Sequence, residues 1–191
     1  MNEEKQICKG KTDREIIDLS RHNIKYFACL YDRYEARLLR YIIKFSSLGL
    51  EEAQDILQES FIKAWINLND FDRDLAFSSW IYRIVHNETI STIRKKKSFG
   101  KNNTIEIKEE ILQIPESEND EKKNQTLEVT YHLVNQLHLK YQEVLVLKFY
   151  EKMSYEEISD VLKIPEGTVA VRINRAKKQL KKLIEKSKYN Q

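Results

Sequence analysis

Ser154 to Leu180 reads SYEEISDVLKIPEGTVAVRINRAKKQL, and the reading of this stretch decides the fold class. Ser154-Tyr155-Glu156-Glu157 is a capping box: a serine and a glutamate three residues on satisfy each other's orphaned amides, so a helix starts there. Ile158 and Leu162 face inward one turn apart, and Lys163-Ile164-Pro165-Glu166-Gly167 breaks the helix and turns the chain. A second helix opens at Thr168 and runs to about Leu183, seated by Val169 and Ile173, with Ile164 plugging the angle between the two. A turn this short forces a steep crossing and leaves the second helix proud of the surface. Its outward side carries Thr168, Ala170, Val171, Arg172, Asn174, Arg175 and Lys178. Such a helix fits the major groove of duplex DNA, and its N-terminus offers amides to a phosphate. An ordinary helical hairpin with a solvated lysine face does not require capping box, turn, inward stripe and basic outward face to coincide as they do between Tyr155 and Asn174.

The rest of the chain fits an all-α protein. Its 191 residues contain only four glycines and two prolines, and these fall between periodic segments. The net charge of +3 is unevenly placed. Arg83 to Lys97 carries five bases against Glu88, and Lys163 to Lys188 carries nine against Glu166 and Glu185. Between these blocks, residues 98–123 hold seven acids and four lysines. Two basic blocks flanking an acidic stretch imply two surfaces for a polyanion and a linker that avoids it. Cys8 and Cys29 are too few and too far apart for a disulfide scaffold, and no histidine spacing joins them in a zinc site. They are expected to be buried or idle thiols in a reducing cytosol, with redox sensing as the alternative. Met1 to Lys11 lacks the apolar core of a signal peptide, and no stretch approaches membrane-span length.

Working outward, Thr12-Asp13-Arg14-Glu15 is a second capping box opening a short helix. A long helix follows through Phe27, Leu30, Tyr34, Leu38, Tyr41 and Phe45, ending near Leu48-Gly49. Leu50 to Leu68 has an inward stripe of Ala53, Ile56, Leu57, Phe61, Ala64, Trp65 and Leu68. Asn69 to Phe77 is expected to loop, with Ser78 capping a helix from Trp80 to about Lys97 that buries Trp80, Ile81, Ile84, Val85 and Ile93. The predicted architecture is two helical domains, an N-terminal bundle over 12–97 and a helix-turn-helix domain over 124–188. A flexible linker over 98–123 joins them, with a transient turn around Ile105 to Leu112.

These elements carry resemblances. Met153 to Ile158, Ile164 to Ala176 and Gln142-Glu143-Val144-Leu145 resemble the C-terminal domain of extracytoplasmic-function (ECF) sigma factors, a branch of the bacterial sigma-70 family. Leu30-Tyr31-x-x-Tyr34, Asp55-Ile56-Leu57-Gln58-Glu59-Ser60-Phe61 with Trp65, and Phe77 to Asn87 resemble that family's N-terminal domain, in the right order. The resemblance implies a non-enzymatic promoter-specificity subunit without cofactor or metal. Its partners would be promoter DNA, the core polymerase (largest-subunit coiled coil and the flap of the second subunit) and an anti-sigma factor, which would hold a cytoplasmic protein at the inner membrane.

Carried onto this chain, Asp55, Gln58, Glu59, Phe61 and Ile62 would grip the polymerase. Asp55, Gln58 and Glu59 share one helix face suited to a basic partner. Asn69, Phe71, Arg83, Asn87, Arg94, Lys95 and Lys96 would take the −10 element, the helix side holding separated strands while the 69–76 loop captures a flipped base. Thr168, Ala170, Val171, Arg172, Arg175 and Lys178 would read the −35 element, Arg172 and Arg175 as phosphate contacts. Departures from the pattern are His138 for a proline, Lys163 for a frequent glycine, Ser91 for an aspartate, and Ala170-Val171 for a polar or basic pair. The last makes the reading surface more apolar and favours thymine methyls. The rivals are a regulator binding duplex DNA alone, which has no use for the Asp55 face, and a recombinase, for which no nucleophile stands amid clustered arginines.

Overall fold

The computed structural model describes residues 7–46, 48–98 and 133–189, which are helical apart from turns and hold no strand. The chain divides into two compact units, Met1–Asn103 and Thr104–Gln191. Apart from Ser98, the expected linker and its transient turn lie outside the described residues.

The first unit contains α1 (Asp13–Ser20), α2 (Lys25–Ser46), α3 (Leu50–Ile66) and α4 (Phe77–Ser98). α1 begins at its capping box: the Thr12 hydroxyl accepts the Glu15 amide, and the Glu15 carboxylate accepts the Thr12 amide at 2.7 Å. That amide bond favours the charged form and holds the Glu15 carboxyl below its ordinary value. α1 packs on α2, and α2, α3 and α4 pack on one another. Tyr41 and Tyr82 are fully buried at the centre, edge to face at 5.2 Å. The buried hydroxyls of Ser20, Ser60 and Thr89 each donate to the carbonyl one turn back, which satisfies them without a partner helix.

Three expectations change. Ser78 does not cap α4; the helix starts at Phe77, and the Trp80 amide already bonds the Ala76 carbonyl at 3.2 Å. Ile81 and Val85 are buried as expected, but Trp80, Ile84 and Ile93 are only half-buried, since the neighbouring helices cover a narrower stripe of α4. Cys8 and Cys29 are not idle thiols: they form a disulfide, their Cα atoms 6.3 Å apart. Distance along the chain misleads there because α1 folds back on α2 and returns Cys8 to the start of that helix.

The second unit contains α5 (Leu139–Leu145), a wide helical turn (Val146–Tyr150), α6 (Tyr155–Leu162) and α7 (Glu166–Tyr189). His138 caps α5, its ring nitrogen accepting the Lys140 amide at 3.4 Å, so the departure from proline alters only a helix start. Ser154 and Glu157 form their capping box at the head of α6. Ile158, Val169 and Ile173 are fully buried between α6 and α7; Val161 joins them, while Leu162 is half-buried. α7 starts at Glu166, before Thr168, because the Thr168 and Val169 amides close on the Pro165 carbonyl at 2.8 and 3.1 Å.

Candidate nucleic-acid interface

The turn between α6 and α7 sets the second unit's outer surface. Lys163 ends α6 in the left-handed region, φ 52°, where glycine carries no steric cost. The Ser159 hydroxyl donates to the Ile164 carbonyl at 2.6 Å and pins the turn from within. α7 then buries Val169, Ile173 and Ala176, leaving Val171, Asn174, Arg175 and Lys178 exposed on the opposite side. Thr168 and Ala170 are half-exposed beside them. Val171, 48% exposed, is an apolar patch among these polar and basic groups.

Arg172 does not belong to this surface. Its guanidinium donates to the buried Glu143 carboxylate at 2.6 Å, joining α5 to α7. Burial pushes the Glu143 carboxyl up, and Arg172 opposes the shift. The expected phosphate contact is therefore a tie within the fold. The i, i+3 spacing from Val169 places Arg172 on the helix flank, but no pattern in α7 alone names its acidic partner. Asn174, passed over as a contact, stands on the outward face beside Arg175.

In the first unit, Asn87, Arg94 and Lys95 are exposed on α4, Asn87 and Arg94 sharing a side with the half-buried Arg83. Lys96 pairs with Glu52 of α3, and Lys63 of α3 pairs with Glu88 at 2.6 Å, so these flank charges lace the two helices together. Asn69 is exposed in a short 3-10 turn, Leu68–Asp70, that replaces the start of the expected loop, but Phe71 is buried. Phe71 lies 5.9 Å from Phe77 and 5.0 Å from Trp80, an aromatic cluster that Tyr34 joins at 5.4 Å from Phe77. Phe71 thus supports the loop from below and is not positioned to stack on a base. A cleft of about 370 Å³ lies between the start of α1 and this loop, lined by Thr12, Asp13, Arg14, Phe71, Arg73 and Phe77 among others.

α3 presents a different surface. Asp55, Gln58 and Glu59 are exposed and lie on one side with Ile62, 47% exposed, and Ile66, 69% exposed. Ile66 was missed, although it falls one turn beyond Ile62 and outside the inward stripe. Phe61 is instead buried, 4.7 Å from the Tyr31 ring and 6.1 Å from Phe27, so it shapes the face without forming it. An acidic and amide row continuing into two bare isoleucines fits a helical partner with basic and apolar residues.

Comparison with known proteins identifies the family. Residues 30–99 match Sigma-70 region 2, and residues 127–180 match Sigma-70, region 4. The chain is 34% identical over 187 residues to the ECF RNA polymerase sigma factor SigW of Bacillus subtilis, covering 93% of this chain and 92% of the relative. It is 31% identical to the RNA polymerase sigma-H factor of Pseudomonas aeruginosa, covering 91% of this chain and 94% of that one. Among solved structures, CnrH, in complex with the cytosolic domain of CnrY, shares the fold at a TM-score of 0.68, with 24% identity and coverage of 91% and 97%. Matched in both halves and over nine-tenths of its length by the same family, the chain belongs to the sigma-70 family: it is an ECF RNA polymerase sigma factor.

Proposed function

We propose that the chain performs its sigma factor role by dividing it among three surfaces. The α3 stripe of Asp55, Gln58, Glu59, Ile62 and Ile66 docks on the core polymerase. The exposed side of α4, with Asn87, Arg94 and Lys95, and the 69–76 loop hold the −10 strands. The outer face of α7, with Val171, Asn174, Arg175 and Lys178, reads the −35 duplex. Catalysis stays with the polymerase, and the chain works in the cytoplasm, where that enzyme is. An anti-sigma factor is a further partner; a structure of similar fold, the sigma factor RpoE from Bartonella quintana, was solved in complex with the anti-sigma factor NepR.

The observation that carries this reading is the α3 stripe: five exposed side chains, two of them large and apolar, on a face that the first unit does not use. A regulator acting alone on duplex DNA has no role for it. Run-off transcription with purified core polymerase on fragments of the source genome tests the proposal. Promoter-dependent transcripts that need the chain, and co-purification of the chain with core, are expected. Their absence from inhibitor-free preparations overturns it.

A further inference from the structure

In the first unit the disulfide, α1 and the 71–77 loop are connected in series. The Cys8–Cys29 bond closes a covalent ring that contains all of α1. At the α2 side of that ring, Asp13 takes the Arg33 guanidinium and the Tyr34 hydroxyl. At the loop side, Arg14 donates to the Arg73 carbonyl at 2.5 Å, and Arg73 pairs with Asp18. The only covalent restraint on the start of α1 beyond the chain itself is therefore a bond that thiol chemistry can break. A sigma factor meets its polymerase in a compartment that keeps thiols reduced, where disulfides that do form are typically transient or redox-sensing. Apolar packing holds α1 as well, since Ile16 and Ile17 are buried at 0% and 2% exposure.

We propose that Cys8–Cys29 is a reversible thiol–disulfide switch that sets how firmly α1 braces the 71–77 loop, and through it the grip on the −10 strand. The inference rests on the reading of that loop as a −10 contact. Cys29 is half-buried and Cys8 is 7% exposed, so Cys29 is the more exposed residue of the pair and the one taken as the point of attack. A thiolate of a dithiol reductant attacks Cys29 Sγ; the Cys8–Cys29 bond breaks and Cys8 leaves as a thiolate. The second thiol of the reductant then displaces Cys29 from the mixed disulfide and closes the reductant's own disulfide. Two electrons pass to the chain, and the two protons given up by the reductant end on Cys8 and Cys29. An oxidised dithiol or a small disulfide runs the sequence backwards. The oxidised state braces the loop; the reduced state releases residues 8–12 and loosens Arg14 and Asp18 from Arg73.

The test uses full-length wild type and C8S/C29S, each reconstituted with core polymerase after treatment with oxidised glutathione or with dithiothreitol, with thiol state read by alkylation and mass spectrometry. The probe is fork-junction DNA selected by the holoenzyme from a random library. Oxidised wild type should bind it about fivefold or more tightly than reduced wild type, within the usual range of coupling between sites. C8S/C29S should match the reduced form under both treatments, and binding to the −35 duplex alone should not change. Hydrogen exchange in α1 and the 71–77 loop should rise on reduction. Equal binding by both wild-type forms, or the same difference in C8S/C29S, overturns the switch and leaves the −10 reading standing. Failure of every form to bind fork-junction DNA above duplex instead overturns the −10 reading.

Discussion

Arg172 and Arg175 are three residues apart on α7 yet belong to different parts of the molecule, one paired with Glu143 and the other exposed. Arg172→Ala leaves a carboxylate buried without its cation and should cost the second unit about 2–3 kcal/mol, read as a lower urea midpoint. Arg175→Ala should leave that midpoint in place and flatten the log–log salt dependence of −35 binding by about 0.9. A flattened slope for Arg172→Ala at unchanged stability would return Arg172 to the DNA surface. His86 makes a second residue-scale prediction. Its ring is buried, accepts or donates one hydrogen bond at 2.8 Å with the Tyr41 hydroxyl, and burial lowers its pKa to about 4. The unfolded chain takes up the proton near pH 6.5 and the folded chain only near 4, so stability is full above 6.5 and falls as pH drops through that window. The loss is about 1.4 kcal/mol per unit at its steepest, and His86→Gln should remove that part of the slope in urea titrations between those limits. Neither role was legible in the sequence, because each depends on a partner from another helix: Glu143 for Arg172, Tyr41 for His86.

At the scale of the element, the second unit turns on how α6 ends. Lys163 adopts φ 52° and ψ 48°, and this is strain that a side chain with a Cβ must bear. Lys163→Gly should raise the thermal midpoint of the second unit, the gain of about 0.5–1 kcal/mol being what remains after glycine's greater freedom when unfolded. A lower midpoint would mean that the lysine side chain contributes more than its backbone costs. The two capping boxes, the α6–α7 turn and the inward stripe of α3 were all legible, since each is local and set by residues within two turns. The start of α4 was not. Ser78 looks like a cap in isolation, but Phe77 enters the core beside Tyr34 and carries the first turn with it. Packing of the aromatic cluster overrode the local preference. The same cluster claimed Phe71, and the α2 contact claimed Phe61, which by spacing belongs to the inward stripe of α3 and only by resemblance to the polymerase contacts.

At the scale of the whole molecule, bare Ile62 and Ile66 stand on α3 and exposed bases stand on α4 and α7, so one double substitution can separate the proposed tasks. Ile62→Glu with Ile66→Glu adds charge to a bare surface and should leave both units folded, while binding to core polymerase falls about tenfold or more. Duplex binding by the second unit should be unaffected; if it weakens in parallel, the α3 face serves something other than polymerase. The division into two helical units was legible from charge blocks and motif order, whereas the covalent ring around α1 was not, because closing it requires the fold. The distribution of aromatic residues has a practical corollary. Both tryptophans belong to the first unit, Trp65 beside Phe27 at 5.2 Å and Trp80 against Phe71 at 5.0 Å. Excitation at the red edge of the tryptophan band therefore reports on one half of the protein and is silent on the other. Trp65 lies beside the α3 stripe proposed to meet core polymerase and Trp80 packs on Phe71 under the loop proposed to hold the −10 strands, so single Trp→Phe variants assign a change in emission to one region or the other without any attached dye.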